Sequence, residues 1–304
     1  MKKIISLVLA VLCAISLVAC GGGKSTNVLS KIKPSGEKVS IDQAGNYIIE
    51  RQNAYLESDT AKLESLTEQW YKIDVKIVEE SESEGSTREY NTKESFKFSG
   101  VMGVTKSGQI NMKLEFEVVS EGESKWNSHE EVAVMSQSVK GKIIAVDGVA
   151  YIDAKMTEEV DGEKRTEEIK VMQPVEDMDF DGFDDLVTEG FYGTDIFDEL
   201  MDALGVDFSG EPVFYLDGDK VYAEMKLEEV DAYSTVEGLF QFEVEYAEKS
   251  AIVNSVRFYG EVNAEESDLS GDYHAEGQTK LGLSISECEP QTVKAPNDDD
   301  YMWA

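Results

Sequence analysis

The residues best placed by type and spacing to do chemistry lie in Asp177-Met178-Asp179-Phe180-Asp181-Gly182-Phe183-Asp184-Asp185. Alternating aspartates with glycine at the sixth position match the first half of a calcium loop, in which hard oxygen ligands converge on one cation around a sharp turn. Asp177, Asp179, Asp181 and Asp185 are the candidate ligands. The second half departs from the pattern: the twelfth position is Thr188, and Glu189 falls one place late for a bidentate ligand. Such a loop would hold only weak Ca2+, in the range suited to extracellular concentrations, and it competes with a plain solvated acidic loop in a chain where about one residue in five is Asp or Glu. No other cofactor is expected.

Elsewhere the chemistry is sparse. His129 and His274 are the only imidazoles and neither has ligand spacing around it, so zinc sites and Ser-His-Asp hydrolysis find no support. No nucleophile elbow occurs, and 62 acidic residues single out no catalytic pair, so no enzymatic activity is expected. The formal net charge is −34 over 304 residues. A surface this acidic repels phosphates, which excludes nucleic acid as a partner.

The second candidate is an apolar lining. Met112, Leu114, Phe116, Met156, Met225, Phe240, Phe242 and Phe258 fall on strand-like stretches at positions that share one side, and methionines with aromatics make an adaptable surface for a lipid or other hydrophobic molecule. Ordinary core packing accounts for the same residues.

Those side chains need strands to carry them. Tyr71 to Ile77 alternates apolar with charged residues, as do Phe96 and Phe98 around Lys97 and, most clearly, Ile110 to Val118. Similar stretches occur at Ala150–Met156, Val221–Leu227, Phe240–Tyr246, Val256–Val262 and Leu281–Ile285, with turn signals such as Asp147-Gly148 and Asp217-Gly218 between them. The Asp147 and Asp217 hairpins align at an offset of 70 in the turn and 71 in the strand, which reads either as duplication or as two acidic amphipathic strands that look alike. Helical spacing marks Asp42 to Trp70, and Ile196 to Leu204, with Gly205 as a stop. The expected fold is α+β, a strongly curved antiparallel sheet with helices packed on its concave face.

The N-terminus carries an address. Lys2 and Lys3 precede an apolar run of 16 residues, Ile4 to Ala19, which suits a secretory signal and is short of the about 20 residues that span a bilayer. It ends in Leu17-Val18-Ala19-Cys20, which resembles the lipobox of bacterial lipoproteins. The resemblance implies a diacylglyceryl group on Cys20, and two acyl chains, each methylene worth roughly 0.8 kcal/mol, anchor stably where one would not. The implied location is the extracytoplasmic face of a bacterial cell membrane. Cys13 leaves with the signal and Cys20 is modified, so Cys288 has no partner within the chain and reads as an inert thiol.

The expected organisation is a signal over 1–19, a lipidated flexible tether over 20–40, one β-rich domain over 41–290 and a disordered acidic tail over 291–304. Lipobox, tether, leading helix and successive Asp-Gly hairpins of the type Leu216-Asp217-Gly218-Asp219-Lys220-Val221-Tyr222 resemble the lipoproteins that share the half-barrel of lipoprotein carriers and mycobacterial cell-envelope lipid carriers. The resemblance implies an apolar cavity for acyl chains and no catalysis. The rival expectation is a surface interaction protein with a closed core.

Overall fold

Side chains on a β-strand alternate between faces, so residues directly opposite across neighbouring strands share a face and build its layer. The computed structural model describes residues 27–58, 69–86, 88–104, 109–126, 132–160, 162–175, 212–246, 253–270 and 272–303. Its strands are β1 (Glu37–Val39), β2 (Gln69–Gly85), β3 (Arg88–Val104), β4 (Ile110–Trp126), β5 (Val132–Val146), β6 (Val149–Val160) and β7 (Glu163–Pro174). After these come β8 (Val213–Asp217), β9 (Lys220–Val230), β10 (Ser234–Tyr246), β11 (Val253–Ser267), β12 (Tyr273–Glu287) and β13 (Met302–Trp303). All join one 13-stranded sheet in the order β1-β8-β9-β10-β11-β12-β2-β3-β4-β5-β6-β7-β13, antiparallel except for the β13/β7 pair.

The α+β expectation is corrected by this architecture. The described residues hold a single α-helix, α1 (Ile41–Ser58), and the protein is nearly all β. The helical reading of Asp42 to Trp70 fails at its far end, where β2 has begun at Gln69. The helix expected over Ile196 to Leu204 lies outside the described residues.

One cross-strand row shows how the inner face is made. Ile285 of β12 pairs with Ile73, Ile73 with Gly100, Gly100 with Leu114, Leu114 with Ile143 and Ile143 with Ile152, so a single layer crosses six strands. Gly100 is a close-approach position: a β-carbon there would lie 2.1 Å from the Lys113 carbonyl oxygen. Glycine at such a point lets a sheet coil sharply.

The strands outrun their apolar halves. Glu79 to Gly85, Arg88 to Ser95 and Val119 to Trp126 continue the pairing with few apolar residues. Their cross-strand partners are polar: Lys93 with Glu80, the Ser81 and Thr92 hydroxyls 2.6 Å apart, and Lys125 with Glu89 at 3.2 Å. Exposed pairs of this kind add little, and the pairing here continues that of the buried halves.

The chain ends cover the outer face. Residues 27–36, expected within a flexible tether, cross it as a strap: the Val28 carbonyl lies over Gly282, and Ile32, only 2% exposed, is packed between Tyr222 and Tyr259. The Ile32 N–H donates to Gln241 Oε1 at 2.9 Å, Lys31 pairs with Glu261 at 2.7 Å, and Ser35 Oγ donates to Asp217 Oδ2 at 2.6 Å. Gly36 then turns at φ +87°, β1 adds to the β8 edge, and Ser40 and Gln43 bond reciprocally as a capping box that starts α1.

At the opposite side the segment expected as a disordered tail is also laid down. Val293 and Tyr301 pack on Val146, Tyr151 and Met172, Asp298 accepts the Tyr151 hydroxyl at 2.8 Å, and β13 closes the β7 edge. Tyr151 and Tyr222, which align at the offset of 71, thus each lie on the outer face under a strap. The two turns differ, however: Asp147 and Gly148 are both left-handed, at φ 53° and 80°, whereas the second loop is Gly218-Asp219 with Gly218 at φ 60°.

A β-carbon at Gly282 would sit 2.2 Å from the Val28 carbonyl oxygen. Gly282→Val is therefore expected to lift the N-terminal strap, at about 1–3 kcal/mol, with the sheet retained. Limited proteolysis checks this: cleavage within residues 27–36 while strand circular dichroism persists is the expected result.

Candidate functional site

The candidate site is the inner face, and the register places all eight sequence-predicted lining residues on it. Met112 pairs with Met102, Leu114 with Gly100 and Phe116 with Phe98. Met225 pairs with Phe240, Phe242 with Phe258, and the Phe240 and Phe258 rings lie 6.4 Å apart. Met112, Leu114, Phe240, Phe242 and Phe258 belong to one contiguous buried cluster, with Phe116 half-buried against it. Met225 is buried in the same row. Met156 sits at the margin, half-buried, its sulfur 3.6 Å from the Gln137 amide nitrogen. Ile73, Val75, Ile77, Leu281, Leu283 and Ile285 complete the centre of the layer, and sequence alternation had marked their strands without marking them as lining.

Among the described residues this layer is made of apolar and aromatic side chains. What it can do is remove apolar surface from water, at roughly 25 cal/mol per Å². It has a polar boundary at the α1 end. Ala44 and Tyr47 of α1 join the cluster, the Tyr47 hydroxyl donates to the Gly218 carbonyl at 2.7 Å, and Arg51 is paired with Asp219. The Arg51 guanidinium lies 4.8 Å from the Tyr47 ring centroid and 5.2 Å from that of Tyr246. Burial, reinforced by Tyr47 and offset in part by Arg51, pushes the Tyr246 hydroxyl up to about 12. No sequence signal joined Arg51 to Asp219, which stand 168 residues apart.

On the outer face the strap network sits on a buried polar strip. Tyr259 donates to Glu261 Oε2 at 3.0 Å, and burial followed by that bond raises its hydroxyl to about 12. Lys31, Tyr259 and Lys280 together hold the Glu261 carboxyl below its usual range, with the Lys31 hydrogen bond the largest cause. Glu243, 7% exposed, lies 3.5 Å from Lys220 and 3.9 Å from Arg257, so its charge is met from both neighbouring strands.

The remaining sequence candidates fall elsewhere. Asp177, Asp179, Asp181 and Asp185 lie outside the described residues, as does Cys20. Among the described residues no three His, Cys, Asp or Glu side chains converge as a metal would need. Cys288 is half-buried opposite Trp70, and burial followed by the charges of Glu287 and Glu289 raises its thiol. Among the described residues no helix is long and apolar enough to cross a membrane.

No protein-family profile matches the sequence, and no curated protein matches it. Among solved structures, the chain is similar to the transport unit of the autotransporter AIDA-I from Escherichia coli, at 7% identity over 81% of this chain and 99% of that one, with a TM-score of 0.22. It is similar also to the translocator domain of autotransporter NalP from Neisseria meningitidis, at 8% identity over 80% and 96% of the two chains and a TM-score of 0.15. The outer membrane protein opdK from Pseudomonas aeruginosa follows, at 7% identity over 72% and 99% and a TM-score of 0.14. Scores this low carry no conclusion about the chain.

Because Tyr246 keeps its proton to about 12 in the folded protein and an unfolded tyrosine loses it near 10, the folded state binds that proton more tightly. The stabilisation is complete below pH 10 and is lost as pH rises toward 12. The Tm is expected to fall across that window by the equivalent of on the order of 2 kcal/mol for this group, and Tyr246→Phe to make the fall shallower. Parallel melting curves of the two proteins from pH 9 to 12 measure it.

Proposed function

We propose that the protein is a non-enzymatic, lipid-anchored component of the extracytoplasmic face of a bacterial cell membrane, held through a diacylglyceryl group on Cys20, which shelters a lipid or other hydrophobic molecule against the inner face of its sheet. The observation that carries the reading is the continuous apolar layer from Phe214 on β8 to Ala150 on β6, within a body whose net charge of −34 keeps its exterior in water. Binding by such a surface needs no catalytic group. It proceeds by displacement of water from methylene and ring surface, and methionine side chains at 102, 112 and 225 adapt to chains of differing length.

A second reading, an interaction protein with a closed core, is favoured by the burial itself. Ile285, Ile73 and Val75 are 0%, 1% and 3% exposed, as in a finished core. An acidic exterior would then meet basic envelope proteins or cations.

Two measurements test these readings. Cys20→Ser is expected to release the protein from the membrane fraction and to remove the diacylglyceryl mass; retention in the membrane would sink the anchor. Native mass spectrometry of protein extracted from membranes is expected to show a lipid bound to the body that survives removal of residues 1–26. A body free of bound lipid, with unchanged stability when lipid is added, favours the closed core.

A further inference from the structure

The far half of the inner face differs in composition from the rest of the molecule. One cross-strand row there runs from Ala275 through Ser83, Tyr90 and Ser124 to Ala133, and the next runs from Gly277 to Met135. Neither contains a carboxylate, whereas the same strands present Glu80, Glu82, Glu84, Glu121 and Glu123 on the opposite face. In this chain, an acid-free stretch across five strands is a local departure from the acidic surface, bounded on β11 by Glu266 opposite Ala275.

A single cation stands at its edge. Arg88 pairs across the sheet with Trp126, and its guanidinium carbon lies 4.1 Å from the Tyr90 ring centroid and 4.5 Å from that of Trp126. Nε and Nη2 both donate to Ser124 Oγ, at 2.8 and 2.5 Å. Ser124 is 8% exposed, and with two N–H groups donating to it, its own proton remains to be donated. Among the described residues no carboxylate pairs with Arg88. Of the five N–H groups of a guanidinium, three are left for a ligand. The two rings, 40% and 45% exposed, hold the planar fork in one orientation and leave apolar surface beside it. A fork fixed in advance loses little entropy when it grips an oxyanion.

We propose that this end of the inner face is a binding site for an oxyanion-bearing ligand, a carboxylate or a phosphate, gripped by Arg88 and Ser124 with the body of the ligand against Trp126. The row containing Glu79 and Glu94 separates the site from the apolar layer, so the proposal is independent of the hydrophobic-ligand reading. Overall repulsion by the acidic body works against capture of anions at low ionic strength. At about 0.15 M salt that repulsion is screened beyond roughly 8 Å, and the short contacts to Arg88 decide.

The test titrates the full mature protein at that ionic strength with inorganic phosphate and, separately, with glucuronate, following tryptophan emission. Trp126 is the reporter at the site; Trp70 is buried on the outer face and Trp303 lies on β13. A saturable change with at least one anion is expected, and the anion that produces it tells phosphate from carboxylate. Arg88→Gln removes the fork. Ser83→Asp keeps Arg88 and both rings but places a competing carboxylate in the adjoining row. Both are expected to weaken binding at least about tenfold, the loss that follows from removing a charge-assisted pair. No saturable change with either anion, or wild-type affinity in either variant, overturns the proposal.

Discussion

Register is the constraint from which the rest of this structure follows. With a side-chain period of two, a slip of one residue between any pair from β9 to β6 would carry that strand's Phe, Leu, Ile and Met residues to the acidic face and bring lysine and glutamate inward. The described ladders keep one parity throughout the apolar layer, and the sole irregularity, at Glu245/Tyr246, falls at the very end of β10. The close approach at Gly100, the seat for α1 and the separation of apolar and hydroxyl-rich ends all presuppose that parity. Cross-strand complementarity enforces it: Gly100 accommodates Leu114, and Gly141 leaves the space that the Phe116 ring fills.

An open sheet of this width exposes two edges and a second face, and the chain spends its own termini on them. β1 occupies the β8 edge and β13 the β7 edge, each reached by a segment that first crosses the outer face over tyrosines. The edges therefore end in pieces of two or three residues, a short and blunt termination of the kind that discourages pairing with another chain. Ile32 and Tyr301 convert what would be exposed aromatic surface on β9, β11 and β6 into small satellite cores. The same strategy explains how a body so rich in carboxylates can bury Gln241 and Glu243: the partners arrive from a strap or from the adjoining strand.

Much of this was legible in the residues, and the gaps have physical causes. Alternation located the strands at Ile110–Val118, Val221–Leu227 and Phe240–Tyr246, since half-buried strands must show it. It could not locate the halves running from Glu79 to Gly85 or Arg88 to Ser95, where both faces are polar and pairing is inherited from the neighbouring strand. It also passed over β5, where Gly141 has no side chain to mark the inner face and the Phe116 ring from β4 fills its place. The α+β expectation gave too much weight to helical spacing that ran into β2. The terminal segments look like linkers because their anchors, Ile32 and Tyr301, are single residues among polar ones. The inner-face set needed only periodicity to be grouped, whereas Arg51 with Asp219, and Arg88 with Trp126, needed the sheet order.

That order has a consequence for how the molecule is assembled. β2, the first long strand, has β12, the last, as its neighbour, and the bond from the Cys288 N–H to the Trp70 carbonyl belongs to that seam. Strands β2 to β7 and β8 to β12 are each runs of adjacent hairpins that can zip locally as they emerge, but the seam joins the two ends of the chain and carries the largest loop-closure entropy. Until β12 has been synthesised, the leading meander therefore keeps the long β2 edge unpaired, and during that interval the edge is open to pairing with other chains.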